Sequence, residues 1–234
     1  MSTQLYQLFK LHCADLLVLQ EMEYNGILFN TAEARKKADS LTDEMAEIQE
    51  EFRELIGSCL PSITSNDDIS TVLYGGDYVY KVKVANGVYK SGKQKGNIKY
   101  SNATETKTFP QLVKPLKKTE TDKSKKRRES GETQGETIWQ TSDSVLRRLK
   151  TNKKSQAVID VIQKYGKMVK LKNTYLLGWS KLIDTMDWDK DMLHPQLNQC
   201  VAVTGRLSSS KPNGQNPDKQ TKFYCQTRYK DGRV

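Results

Sequence analysis

Two helical seams bracket this chain and constrain its fold more than any other feature. Ala34, Ala38, Leu41, Met45, Ile48, Phe52 and Leu55 recur with a 4-3-4-3-4-3 spacing, which sets them in one narrow stripe along a helix. Asn30 stands as N-cap with Glu33 as the return half of a capping box, and Gly57 closes the segment. A stripe this narrow needs a partner. Val158, Ile162, Tyr165, Val169, Leu176, Trp179, Ile183 and Met186 supply one with the same alternation, interrupted by Lys172. The expected result is two long antiparallel helices forming a stalk, joined by everything between them. An ordinary amphipathic pair in a bundle is the alternative.

Composition implies that part of the chain stays outside a core. Hydrophobic residues make up 36% of the 234, low against the roughly 45–50% usual in globular chains. No apolar run approaches the ~18–20 residues of a membrane span, and residues 1–10 lack the basic-then-apolar pattern of a secretory leader. Cys13, Cys59, Cys200 and Cys225 form no CxxC pair and have no His neighbours at metal spacing. Reduced thiols in the cytoplasm are therefore expected, with no metal site.

The net charge of +10 is unevenly placed. Residues 1–60 hold 5 basic and 11 acidic residues, and the remaining 174 hold 33 and 17. Such a surface points to a polyanion, nucleic acid first. Solubilising charge is the bland alternative.

Other segments read less strongly. Leu5, Leu8, Phe9, Leu16 and Leu19 predict a helix over 5–22, stopped by Asn25-Gly26, with Ile27-Leu28-Phe29 as an extended link. Tyr78, Tyr80, Val82 and Val84 alternate with Val79, Lys81 and Lys83, and Asn86-Gly87 predicts a type I′ turn before Val88-Tyr89. This is a hairpin with lysines on its wet face, continuing loosely to Tyr100. Residues 114–128 set 8 basic residues against 2 acidic ones, and Ser, Thr, Glu and Gly follow to about Thr137. That stretch is expected to be flexible when alone. Thr141 or Ser142 caps a short helix through Val145, Leu146 and Leu149. Phe223–226 and Arg233-Val234 read as strand pieces around a Lys230-Asp231-Gly232 turn.

The chemistry-bearing stretch is Thr204-Gly205-Arg206-Leu207-Ser208-Ser209-Ser210-Lys211-Pro212-Asn213-Gly214-Gln215-Asn216. It joins an Arg, three serine hydroxyls, two Asn and a Gln, with no His and no carboxylate before Asp218. Such an inventory suits hydrogen bonding to phosphates, sugars or base edges. It does not suit hydrolysis or metal binding. A plain polar loop is the alternative reading of these residues alone.

Thr-Gly-Arg-Leu-Ser-Ser followed by Pro-Asn-x-Gln-Asn resembles the signature ahead of the first catalytic aspartate in family A DNA polymerases, the DNA polymerase I type. Glu23-Tyr24-Asn25-Gly26, within residues 17–30, is similar to the segment that leads into the family's polymerase domain. Lys114-Pro115-Leu116-Lys117-Lys118-Thr119 and residues 141–149 are similar to the two sides of its thumb-tip loop. Lys170-Leu171-Lys172-Asn173-Thr174-Tyr175 resembles the Lys-Leu-Lys-x-Thr-Tyr of its second thumb helix, and His194 and Asn198-Gln199 stand where its palm begins. Gly214 and Pro217 stand where the family usually has Leu and Ile, and Gly166 where many relatives carry a basic residue.

The resemblance implies a mainly α fold with a small β part (α+β). Residues 1–30 would be a leading helix and link, and 31–186 a helical thumb with an insertion at about 77–137. Residues 187–234 would begin the palm. Arg206 would reach the minor groove near the primer terminus, where purine N3 and pyrimidine O2 accept in every base pair. Thr204, Ser208, Ser209, Asn213, Gln215, Asn216 and His194 would lie along the duplex. Lys170, Lys172, Lys117 and Lys118 would meet phosphates, the sequence-independent part of binding.

The first catalytic aspartate would come only beyond Val234, and neither Asp218 nor Asp231 occupies the matching position. No catalytic or metal residue is expected in these residues, and Mg²⁺ only in the complete polymerase. The expected function is the N-terminal part of a DNA-directed DNA polymerase, a nucleotidyltransferase, binding primer–template DNA. The enlarged thumb suggests phage origin and the host cytoplasm. Partners would be a separate polypeptide carrying palm and fingers and, at the insertion, a processivity factor or extra DNA; a merely solvated insertion is equally open. The alternatives are a standalone basic DNA-binding replication accessory protein and a coiled-coil adaptor.

Overall fold

The computed structural model describes residues 3–58, 60–88, 96–117, 119–129, 138–199 and 201–227. In chain order the elements are α1 (Thr3–Asn25), β1 (Ile27–Phe29), α2 (Thr31–Ile56), α3 (Asn66–Tyr74), β2 (Gly76–Val88) and β3 (Ile98–Phe109). Next come α4 (Asp122–Glu129), α5 (Asp143–Leu146), α6 (Lys153–Val169), a π-helical segment (Lys170–Leu176) and α7 (Leu177–Thr185). The last elements are β4 (Met192–Leu193), β5 (Gln196–Asn198), β6 (Ser208–Ser210), α8 (Lys219–Lys222) and β7 (Cys225–Gln226). Close to half of the chain is helical and the sheets among the described residues are small and antiparallel, a mixed α+β fold. The chain divides into two compact units, Met1–Ala46 with Gly166–Val234, and Glu47–Tyr165.

In the first unit, β1 is the middle strand of a three-stranded sheet, between β4 and β7. The extended link expected at Ile27-Leu28-Phe29 is thus a strand. Gly26 must precede it: its φ is +60°, and a Cβ there would lie 2.5 Å from the Leu193 carbonyl. Phe29, Ala34, Ala38, Leu41, Leu171, Tyr175, Leu176, Trp179, Ile183 and Leu193 form one buried cluster. Phe29 meets the Trp179 ring edge-on at 5.4 Å. Burying such a side chain stabilises the fold by about 1.5–3 kcal/mol. Of the apolar face expected on α1, only Leu19 is buried among the described residues; Leu5, Leu8, Phe9 and Leu16 are exposed.

Both seams form helices, and in the first unit the two helical runs are antiparallel. In the first unit Arg35 pairs with Asp184 at 2.8 Å, and Lys172 Nζ donates to Thr42 Oγ1 at 2.6 Å. In the second, Gln49 Nε2 donates to the Tyr165 hydroxyl at 2.9 Å. The later seam departs from strict alternation at residues 170–176. A π-turn there inserts an extra residue, so Leu171, Tyr175 and Leu176 are all buried. Lys172 is thereby carried to the edge of the cluster, where its amine reaches α2. Met186 lies past the end of α7 and is exposed. The capping box at Asn30 is half formed: the Glu33 amide donates to Asn30 Oδ1 at 3.0 Å, but the Asn30 amide donates to the Tyr224 carbonyl at 2.8 Å.

In the second unit, β2 and β3 form one long hairpin from Gly76↔Phe109 to Val88↔Ile98. Its turn is not at Asn86-Gly87. Those two residues oppose Lys99 alone, between the pairs Ala85↔Tyr100 and Val88↔Ile98, and Gly87 has φ +83°. A glycine in the left-handed region serves a bulge as well as a turn, and here the strand continues past it. The basic stretch expected to be flexible includes α4. Thr121 caps it, its hydroxyl accepting from the Ser124 amide at 3.3 Å, and Lys123 pairs with Asp67. Residues 130–137, like Lys230, Asp231, Gly232, Arg233 and Val234, lie outside the described residues.

Helix α3 had no counterpart in the sequence reading. Ser65 caps it, accepting from the Asp68 amide at 3.3 Å.

Candidate nucleic-acid interface

Strands β5 and β6 pair as Gln196↔Ser210, Leu197↔Ser209 and Asn198↔Ser208. Between them the chain turns back, with the Gly205 amide donating to the Ala202 carbonyl at 2.9 Å. Gly205 takes a φ of +71°, which a residue with a Cβ adopts only at a cost. The turn holds Thr204 and Arg206 outward, both exposed. None of Arg206's N–H donors is paired among the described residues.

Beyond β6 the loop folds onto its own serine. Ser209 is buried; its hydroxyl donates to the Pro212 carbonyl at 3.2 Å and accepts from the Gly214 amide at 3.1 Å. Ser209 therefore shapes the loop and is not presented outward. Asn213 Oδ1 accepts from the Gln215 amide at 3.1 Å. The side chains of Asn213, Gln215 and Asn216 are exposed. Gly214 lies close against Pro195, where a Cβ would meet the ring at 3.0 Å. The Ser209 and Tyr175 hydroxyls hold the loop's backbone, and Pro212 within it is buried.

The loop is joined to the π-helical segment. The Tyr175 hydroxyl donates to the Asn216 carbonyl at 3.2 Å, its ring packs edge-on to Trp179 at 5.6 Å, and Lys170 Nζ lies 5.9 Å from its centre. Lys170 is exposed. Sequence reasoning treated Tyr175 only as part of a motif and missed this joint. A π-turn is itself a frequent mark of a functional position. Gly178 is required here, because a Cβ would lie 2.8 Å from the Asn173 carbonyl.

His194 is half-buried and structurally employed. Its Nδ1–H donates to the Glu23 carbonyl at 2.8 Å, and Trp188 packs edge-on at 5.3 Å. The Glu23 carboxylate accepts from the Leu197 amide. These contacts join the end of α1 to β5. An open hollow of about 420 Å³ lies beside the Gly205 turn, lined by His12, Asp15, Leu19, Gln199, Gly205 and Leu207 among others.

The structure thus brings Lys170, Thr204, Arg206, Ser208, Asn213, Gln215 and Asn216 into one unit, with Ser209, His194 and Lys172 among the residues that hold its shape. Lys117 is exposed in the other unit, and Lys118 lies outside the described residues. Among the described residues no group of three or more His, Cys, Asp or Glu side chains converges to hold a metal. Asp218 accepts from the Lys219 amide at 2.7 Å as the cap of α8. Among the described residues no helix is long and apolar enough to cross a membrane.

The sequence profile of DNA polymerase family A matches residues 107–229, just over half of the chain. A thermostable DNA polymerase I from Thermus thermophilus is 40% identical over 76 residues, 32% of this chain and 8% of its own length. DNA polymerase I from Bacillus caldotenax is 25% identical over 199 residues, 85% of this chain and 16% of its own length. Among solved structures, the POL domain of Pol1 from M. smegmatis, in complex with DNA primer-template and dNTP, superposes with a TM-score of 0.51 and 17% identity. That match covers 86% of this chain and 26% of the POL domain. The chain therefore spans a small fraction of the length of the relatives it matches.

Proposed function

This chain belongs to DNA polymerase family A, and from that premise we propose that it is the duplex-holding part of a DNA-directed DNA polymerase. In this reading residues 31–186 are the thumb, with an insertion at about 77–137, residues 187–234 begin the palm, and 1–30 lead in. The observation that carries it is the Tyr175–Asn216 joint, which fixes an outward-facing set of donors to the helix bearing Lys170. Arg206, Asn213 and Gln215 donate without offering a carboxylate, which suits minor-groove acceptors shared by all base pairs. Lys170, and Lys117 in the other unit, suit phosphates. Senses of pairing geometry without sequence preference are what a replicative enzyme needs.

Phosphoryl transfer in such enzymes draws on Mg²⁺ held by carboxylates. The described residues do not fit that role, since no carboxylate cluster forms and Asp218 is committed to a helix cap. Catalysis is supplied by parts of the polymerase domain that these residues do not span, on this polypeptide or on a second one. The long inserted hairpin supports a phage-encoded enzyme working in the host cytoplasm.

The test is to mix the chain with a polypeptide supplying the remaining polymerase domain and assay primer extension. Extension above that of the added polypeptide alone is expected. Tight DNA binding with no gain in extension would favour a standalone replication accessory protein instead.

A further inference from the structure

The β2–β3 hairpin carries a charge pattern that the thumb reading does not use. From Lys81 to Thr104 the sequence holds six lysines and no Asp or Glu. Lys81, Lys83 and Lys99 lie among the described residues, all exposed. Cross-strand register sorts the two faces. One carries Val79, Lys81, Lys83 and Ala85 opposite Thr106, Thr104, Asn102 and Tyr100. The other carries Tyr78, Tyr80, Val82 and Val84 opposite Lys107, Glu105, Ala103 and Ser101.

The second face is committed near its base. The Tyr78 hydroxyl donates to Asp68 at 3.2 Å and that of Tyr80 to Glu105 at 2.7 Å. Tyr78 packs edge-on to Phe109, with the Lys107 amine 5.5 Å from the Phe109 ring centre. The carboxylates at the base are engaged as well: Asp67 holds Lys123 and Asp77 accepts from Thr108. The first face is different. Its lysines have no carboxylate partner among the described residues, and each faces a Thr or Asn across the ribbon. Ammonium groups interleaved with hydroxyl and amide donors match a row of phosphate oxygens.

We infer that this lysine face is a second DNA contact, gripping the phosphate backbone of duplex DNA independently of the Arg206 loop. A two-stranded ribbon is narrow enough to lie in the major groove, with Lys81 and Lys83 toward one wall and Lys99 on the opposite face. Duplex is favoured over single strands because single-strand grooves rely on stacked aromatic platforms. Here Tyr78 and Tyr80 pack against each other and their neighbours, leaving Tyr100 as the exposed ring on the lysine face among the described residues.

The test compares the wild-type chain, Lys81→Gln/Lys83→Gln, Lys81→Arg/Lys83→Arg and Arg206→Ala on a closed circular duplex and on a primer–template, across a salt series. Circular dichroism confirms folding. The Gln pair should lower the slope of log affinity against log salt by about 2 and weaken binding on the order of tenfold at 0.1 M salt. That loss should appear on both DNAs, and the Arg pair should restore it. Arg206→Ala should act on the primer–template alone, so the failure of either contact is separately visible. An unchanged slope in the Gln pair, or no binding to the circle by the wild-type chain, overturns the inference and leaves the ribbon to a protein partner.

Discussion

The Tyr175 hydroxyl donates to the main-chain carbonyl of Asn216 at 3.2 Å, across 41 residues of sequence. One partner sits in a π-turn whose wider winding brings Leu171, Tyr175 and Leu176 into the core together. The other sits in a loop otherwise held by Ser209. Replacing Tyr175 by Phe keeps the ring on Trp179 and removes only the donor. The expected cost is about 1 kcal/mol in urea unfolding, with faster amide exchange over residues 213–217. Unchanged exchange would show that the joint does not fix the loop.

The π-turn makes its own prediction through Gly178. A Cβ there would stand 2.8 Å from the Asn173 carbonyl, and backbone cannot yield as a flexible side chain does. Gly178→Ala should therefore destabilise by about 1–3 kcal/mol, although Ala is the better helix former. A neutral or stabilising result would mean that the segment relaxes to an ordinary α-helix at no cost.

Tyr74 predicts an alkaline limit to stability. Burial pushes its hydroxyl from 10.0 up to about 12, while that group donates to the Gln140 carbonyl at 3.1 Å. A raised folded-state value means that the folded form holds the proton longer than the unfolded one. The contribution is complete below pH 10 and is lost as pH rises toward about 12, amounting to about 3 kcal/mol. Denaturant midpoints from pH 9 to 12 should fall less steeply in Tyr74→Phe than in the wild type. Parallel curves would contradict the assignment.

Lys170 and Lys172 should separate. Lys170 is exposed, whereas the Lys172 amine is held on Thr42 at 2.6 Å. Lys170→Gln should reduce the salt slope of DNA binding by about 1. Lys172→Met should mainly shift the unfolding midpoint. Equal slope changes would show that Lys172 reaches phosphate as well.

Much of this could be read from residue spacing, and the failures have physical causes. The seams were legible because apolar residues at 4-3 spacing have few alternatives. The π-turn was not, since one added residue leaves a pattern that still passes as a helix with a misplaced Lys172. Residues 223–226 read as a strand piece and hold β7, but its pairing with β1 and β4 was missed, because strands of two or three residues carry no period and the partners lie far apart in the chain. At Asn86-Gly87 only Gly87 takes the positive φ that the expected turn requires of both residues, and it serves a bulge instead. In the candidate site the donor inventory stood out in sequence. Which donors are free did not: Ser209 and His194 are committed by contacts that only folding reveals.

In the proposed function the Arg206 turn grips duplex DNA at a primer end. The most direct test is the affinity of the chain for a recessed-end primer–template, with and without Arg206→Ala, at fixed salt. Wild-type binding is expected, with a loss of about 1–3 kcal/mol in the variant and a footprint weakened at the primer terminus. Equal affinity and an unaltered footprint would contradict it.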